Sequence, residues 1–303
     1  MTFEEICNAL PSQARREVAQ FPYPKIASGK VREIFDLGDR LLIVATDRLS
    51  AFDVVLPDGV PGKGLLLTQL SLWWFERTQS IIQNHLVPNH AVELCKVLAD
   101  FPEWIPYAML VRKLAPVKLE AVVRGYLSGS GWKEYQQTGE LWGRPLPVGL
   151  VESSALPKPL FTPTTKADVG DKDLPVNDEQ GAAVIGEARY EQVRSVALKL
   201  YDLGVEYADK AGLILADTKF EFGVDEAGEL FLIDEALTPD SSRYWPKQGY
   251  AAGKPQPAFD KQYVRDYLET LDWDKTPPGP SLPEEVIMQT REKYLGALKA
   301  LMG

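Results

Sequence analysis

Residues 217–245, "DTKFEFGVDEAGELFLIDEALTPDSSRYW", carry the two-residue period of a strand. Phe220, Phe222 and Val224 alternate with Lys219, Glu221 and Gly223. "ELFLID" is apolar on both faces, and residues 225–229 supply polar turn positions including Gly228, so the pattern predicts a β-hairpin. With Asp225 opposite Leu230, Glu221 falls opposite Asp234, both pointing away from the face of Phe220, Phe222, Val224, Phe231 and Ile233. Two carboxylates ~5 Å apart at an effective dielectric of about 20 repel by ~3 kcal/mol. A shared proton, a bound divalent cation, a salt bridge to Lys219 or a one-residue slip in register would each remove that cost, and the hairpin alone leaves these open.

The same reading runs along the rest of the chain. "KIASGKVREIFDLGDRLLIVATD" predicts two strands joined at residues 37–40, and "LLLTQLSLWWFERTQSIIQNH" predicts a helix whose Trp73 and Trp74 are packing residues. "YAMLVRKLAPVKLEAVVRGYL" predicts two strands around Pro116, and a lobe boundary is placed here, with 1–114 as a β-rich lobe covering a nucleotide and 115–303 as an α/β lobe. Residues 139–176, rich in Pro, Gly, Ser and Thr, read as a long loop or insertion folded over the body. One or two helices follow, stopped by Gly212, and two amphipathic C-terminal helices are expected to cap the second lobe. The fold class is α+β, in two lobes around a cleft.

Composition narrows the function. At 303 residues, 45% hydrophobic and 25% charged, the chain is ordinary globular material, and no apolar run approaches the ~20 residues that span a bilayer. The polar, acidic N-terminus lacks the order of a secretory signal, and two cysteines without paired spacing suit a reducing compartment, so a cytoplasmic protein is expected. A net charge of −10 argues against a surface built for nucleic acid, and any anionic ligand must meet a local basic cluster.

Four stretches are candidates. Ser28-Gly29-Lys30-Val31-Arg32 fits no standard phosphate-loop pattern, but its glycine admits close approach of a polyphosphate, and Lys30 and Arg32 would point the same way from a strand. "EAVVRGYLSGSGWKEY" places Arg124 at a strand end before a Gly/Ser turn and a helix start, an arrangement that attracts phosphate or simply caps a helix. "LTPDSSRYW" sets Asp240, Ser242 and Arg243 close behind Asp234, and "TDRLSAFD" closes a strand with polar groups. The histidines of "NHLVPNH", spaced five apart across Pro88, suit neither a helical metal pair nor a catalytic base and read as structural.

Taken in order, "SGKVREIF", "TDRLSAFD", "VVRGYLSGSGWKEY", "FTPTTKAD", "ADTKFEFG" and "LIDEALTPDSSRYW" resemble the SAICAR synthetase family, in its longer, yeast-like branch. The resemblance implies a fold related to ATP-grasp and kinase-like folds. It also implies an ATP-dependent ligase of purine biosynthesis that joins L-aspartate to carboxyaminoimidazole ribonucleotide (CAIR) through an acyl phosphate. A small-molecule kinase using the same nucleotide site is the alternative. By resemblance, Glu221 and Asp234 bind Mg2+ on the ATP phosphates. Ser28, Gly29, Lys30, Val31 and Arg32 cover those phosphates, and Arg112, Lys113 and Leu114 offer backbone groups to adenine. Lys219, Arg124 and Arg243 act in catalysis, and Ser50, Asp53, Arg124, Ser130, Asp240 and Arg243 bind substrate. Lys166 and Asp178 are further candidates for aspartate. The expected partners are these small molecules, with no nucleic acid and no membrane, in a monomer or small homo-oligomer.

Overall fold

The computed structural model describes residues 1–166, 173–259 and 261–303. A short capped helix, α1 (Phe3–Asn8), precedes strands β1 (Lys25–Ser28), β2 (Arg32–Asp36) and β3 (Arg40–Ala45). Strands β2 and β3 form the expected hairpin, in which Gly38 adopts φ +89° and donates its N–H to the Asp36 carboxylate. The first predicted strand is in fact two, because residues 29–31 leave the ladder between β1 and β2. A smaller hairpin, β4 (Arg48–Ala51) and β5 (Val54–Gly59), leads into α2 (Lys63–Arg77).

No side chain caps α2 from its own N-terminus. Instead the fully buried Asp47 carboxylate accepts the N–H groups of Gly62 (3.0 Å), Gly64 (2.8 Å) and Arg15 (2.8 Å), fixing where the helix begins. Burial pushes this carboxyl above the usual range, against the opposing pull of the three backbone donors. Trp74 is buried, and Trp73 and Trp74 both pack edge-on against Tyr207. After α3 (His90–Val97) and a 3-10 turn (Pro102–Tyr107), β6 (Ala108–Arg112) completes a four-stranded antiparallel sheet in the order β1-β2-β3-β6.

The region around Pro116 holds a short strand the pattern did not separate, β7 (Ala115–Pro116), before β8 (Leu119–Tyr126). Helix α4 (Gly129–Thr138) follows, then β9 (Glu140–Leu141), β10 (Arg144–Pro145), β11 (Ala155–Phe161) and β12 (Thr164–Thr165). Residues 139–166 are therefore not a plain loop, because β11 is an edge strand paired with β8; residues 167–172 of the expected insertion lie outside the described residues. Helices α5 (Asp178–Ile185) and α6 (Glu187–Lys210) lead through Gly212 into β13 (Leu213–Val224), followed by β14 (Leu230–Ile233) and β15 (Ser242–Pro246). These strands form a seven-stranded sheet centred on β13. One edge of β13 pairs with β15 and then β14, and the other with β8 and then β7.

The hairpin register differs from the expectation by one residue: Val224 pairs with Leu230 and Glu221 with Ile233. The cause is a five-residue loop. The Asp225 N–H donates to the Glu229 carbonyl (3.2 Å), closing the turn in the shifted register, and the Asp225 carboxylate accepts the N–H groups of Ala227 and Glu229. Glu221 therefore does not face Asp234 across the hairpin. Asp234 lies one residue beyond β14 in the left-handed region, at φ +66°.

The chain closes with α7 (Gln262–Glu269) and α8 (Glu284–Met302). Helix α8 packs against α1, α2 and α7, so it reaches the beginning of the chain rather than only the end of the second lobe. One buried apolar cluster runs from Ile6 to Leu301 through both sheets. Among the described residues no helix is long and apolar enough to cross a membrane.

Candidate active site

Strand geometry builds the site. In β13 the odd positions Asp217, Lys219 and Glu221 share one face, while Thr218, Phe220 and Phe222 are buried on the other. In β8, Glu120 and Arg124 occupy the matching face, and Arg243 of β15 does so on the other side. Asp217 is in register with Arg124 on one neighbour and Arg243 on the other, giving a cross-strand row of alternating charge. Two residues on, Lys219 donates to Glu120 (2.8 Å) and Glu221 (2.6 Å), and Lys166 also pairs with Glu221. Of the remedies for the hairpin carboxylates, the salt bridge to Lys219 and the slipped register are thus both present.

Burial alone would raise the Glu221 carboxyl, but Lys219 and Lys166 outweigh it and hold it below the usual range. Burial likewise opposes the charge on Lys219, yet Glu221, Glu120 and Asp234 keep its pKa above the ordinary lysine value. Arg32 of β2 crosses from the first sheet to pair with Asp234 and, at 3.1 Å, with Glu235. Its charge is favoured against burial by Asp234, Glu235 and then Glu221. Glu221 and Asp234 pair with different cations, but Arg32 and Lys219 each feel the charge of both. Lys30 does not extend from the strand beside Arg32; it sits in the loop before β2 and pairs with Asp53 at 2.5 Å.

Behind this junction, the Arg112 guanidinium lies 5.2 Å from the Phe231 ring centre, and Lys113 pairs with Asp36 at 2.7 Å. Leu114 sits against Gly223, where a Cβ would come within 3.0 Å of it, so the crossover from β6 to β7 lies flush on the β13–β14 hairpin. His85 and His90 are kept neutral, lowered to about 3 and about 4, His85 by burial and then Arg32, His90 by burial.

On the other side of the polar face lies a cavity of about 600 Å³, lined among others by Asp53, Ser128, Ser130, Lys133, Arg243 and Arg265. Ser128 stands at the N-cap of α4 but makes no capping bond. Its hydroxyl donates to Asp217 (3.1 Å) and accepts from Arg243 (2.8 Å). Gly129 has φ +55°, and a Cβ there would come 3.0 Å from the Arg243 guanidinium, so the turn needs glycine on both counts. Arg124 donates to Ser130 (3.2 Å) and Thr162 (3.1 Å), with Trp142 5.1 Å away at its ring face. Asp240 is buried nearby, accepting from Lys63 (2.7 Å), Lys261 (3.1 Å) and Tyr294 (2.7 Å).

Two sequence candidates fall elsewhere. Ser50 lies on β4 opposite Val55 and does not line the cavity. Asp178 is held by Arg144 and Tyr190 at the start of α5. Sequence reasoning missed Glu120, Asp217, Glu235 and Lys63. The alternation Asp217, Lys219, Glu221 and the four-residue spacing of Glu120 and Arg124 are strand-period signals that would have flagged two of them.

A family model described as SAICAR synthetase matches residues 25–280. The phosphoribosylaminoimidazole-succinocarboxamide synthase of Desulfosudis oleivorans is 54% identical over 283 residues, 91% of this chain and 94% of that protein. Its counterpart in Geotalea uraniireducens is 52% identical over 287 residues, 93% and 96% of the two chains. Among solved structures, the SAICAR synthase of Saccharomyces cerevisiae in complex with SAICAR superposes with a TM-score of 0.82 at 38% identity, covering 95% of this chain and 98% of the yeast chain. A SAICAR synthetase in complex with ADP gives a TM-score of 0.61 at 26% identity, covering 89% and 97%.

Proposed function

Because the chain belongs to the SAICAR synthetase family, and so is an ATP-dependent ligase of purine biosynthesis, we propose that the charged face of β13 is where its nucleotide and ribonucleotide meet. The observation that carries this reading is the continuity of that face. Asp217, paired with Arg124 and with the cavity-lining Arg243, and then Lys219 and Glu221 lead to the Arg32–Asp234 junction within one strand.

At the junction, Ser28 to Arg32 cover the ATP phosphates, and the crossover of Arg112, Lys113 and Leu114 receives adenine. At the cavity, Arg124, Ser130 and Arg243 take the ribonucleotide phosphate, Asp240 supports the same substrate, and Asp53 and Lys166 lie nearest to incoming aspartate. ADP bound to one relative and SAICAR bound to the yeast enzyme support these two subsites. We place the nucleotide between residues 1–114 and 115–303, in a cytoplasmic monomer or small homo-oligomer.

The residues present fit Mg2+. Glu221 and Asp234 are oxygen donors, the first held below the usual carboxylate range by Lys219 and Lys166 and the second paired with Arg32, and among the described residues no cluster of three or more His, Cys, Asp or Glu could hold a metal unaided. Magnesium commonly uses one or two carboxylates together with substrate phosphates and water. When bound, it would neutralise charge on the transferring phosphoryl group.

The protein's own part in the chemistry is positioning and neutralisation. The CAIR carboxylate attacks the γ-phosphorus of ATP, forming an acyl phosphate and releasing ADP. The amine of aspartate then attacks the acyl carbon and expels phosphate. Lys219, raised in pKa and therefore protonated throughout, offsets negative charge during transfer, while Arg124 and Arg243 hold the ribonucleotide end. With oxygen-18 in the CAIR carboxylate, one labelled oxygen is expected in the released phosphate. Its absence, with all three substrates present, would reject carboxylate activation.

A further inference from the structure

Arg48, in the "TDRLSAFD" stretch, has no place in the chemistry above, yet its Nε and Nη2 donors are all spent on one loop. Its Nε donates to the carbonyl of Lys30 (3.0 Å), and its Nη2 to those of Gly29 (3.0 Å) and Arg32 (3.4 Å). Its Nη1 reaches Glu33 Oε1 (2.7 Å) and the carbonyl of Arg16 (3.2 Å). The remaining carbonyl of the loop, that of Val31, accepts both the N–H (2.8 Å) and the hydroxyl (2.9 Å) of Thr46. Gly29 closes the turn by donating to Arg32 (2.8 Å).

Every carbonyl from Gly29 to Arg32 is therefore drawn to the inner side of the loop. Among the described residues, the N–H groups of Lys30 and Val31 have no protein acceptor. Successive backbone N–H groups left open in this way form an anion-receiving concavity. From this geometry we infer that Arg48 is a positioning residue for the phosphate-covering loop: its guanidinium gathers the carbonyls from behind so that the Lys30 and Val31 N–H groups stand open to a polyphosphate. A planar guanidinium spreads five donors over three nitrogens in a fixed fork and can span several separated carbonyls; an ammonium offers three donors from a single atom.

The inference rests on the reading that this loop covers ATP phosphates, and the test separates the two. The wild type, R48Q and R48K are titrated calorimetrically with ADP and with adenosine, alongside thermal melts. In parallel, the 15N amide signals of Lys30 and Val31 are followed in the wild type as ADP is added. Both variants should lose about tenfold or more in ADP affinity while adenosine binding stays within about twofold, because only the phosphates meet the loop. R48K keeps the charge opposite Glu33, so its loss isolates the fork. Equal losses for ADP and adenosine, unchanged ADP affinity in R48Q, or full recovery in R48K would each overturn the role of Arg48. Lys30 and Val31 signals that ignore ADP in the wild type would instead overturn the reading of the loop itself.

Discussion

Asp240 and Lys63 make an asymmetric pair, and the asymmetry is measurable. Lys63 is fully buried at the start of α2, and burial lowers its pKa despite the attraction of Asp240. Asp240 is also buried, but its carboxylate is shared among Lys63, Lys261 and Tyr294. In D240N, Lys63 stays buried without its counter-charge and beside Lys261, a loss of about 3 to 5 kcal/mol. In K63M, Asp240 keeps Lys261 at 3.1 Å and Tyr294 at 2.7 Å, so the loss should be only about 1 to 2 kcal/mol. At about 2 °C per kcal/mol for a chain of this length, D240N should melt roughly 6 to 10 °C lower and K63M roughly 2 to 4 °C lower. The double variant should lie nearer K63M than D240N. The pH dependence has a definite sign. Burial would raise the Asp240 carboxyl, but Lys261 and Lys63 hold it below its usual value. Its contribution is thus complete above the ordinary aspartate pKa of about 4 and is lost as pH falls through the lower folded value. The gap between wild type and D240N should be full at neutral pH and narrow in acid. Paired melts or urea titrations of the four proteins across pH decide it. A K63M loss matching that of D240N, or a double variant no better than D240N, would refute the reasoning.

Two other perturbations test the polar face. E221Q removes the carboxylate between Lys166 and Lys219, so thermal melts should show a loss of stability rather than relief of repulsion, and product assays should show loss of magnesium-supported turnover, as in D234N. Wild-type turnover in either variant at limiting magnesium would contradict the metal assignment. R124A should weaken CAIR about ten- to a hundredfold and ATP far less, since its partner Ser130 lines the cavity and neither Ser130 nor the buried Thr162 belongs to the Arg32 junction. Calorimetry with each ligand shows this, and equal losses would overturn it.

Local pattern carried the elements well. The alternation of β13, the β2–β3 turn and the stop at Gly212 all follow from periodicity and turn chemistry visible within a few residues. The hairpin register did not, because it hinges on whether Asp225 closes the turn with Glu229 or with Leu230, and the carboxylate that binds two turn amides favours Glu229. The strand β11 was hidden by its prolines, which an edge strand tolerates. The site was legible as residues but not as partners. Arg32 meets Asp234 across 202 positions, and Lys63 meets Asp240 across 177, separations at which no spacing rule operates. Glu120 and Asp217 stayed unnoticed because each looks like an ordinary strand carboxylate until β8 and β13 are laid side by side.

The most direct measurement of the central claim is ADP release by the purified protein supplied with magnesium, ATP and CAIR, with and without L-aspartate, the products being identified by mass. The charged face of β13, read as the meeting place of nucleotide and ribonucleotide in a SAICAR synthetase, predicts sustained ADP release only with aspartate, in equal amount to SAICAR. Sustained ADP release without aspartate, or a phosphorylated small molecule in place of SAICAR, would contradict it.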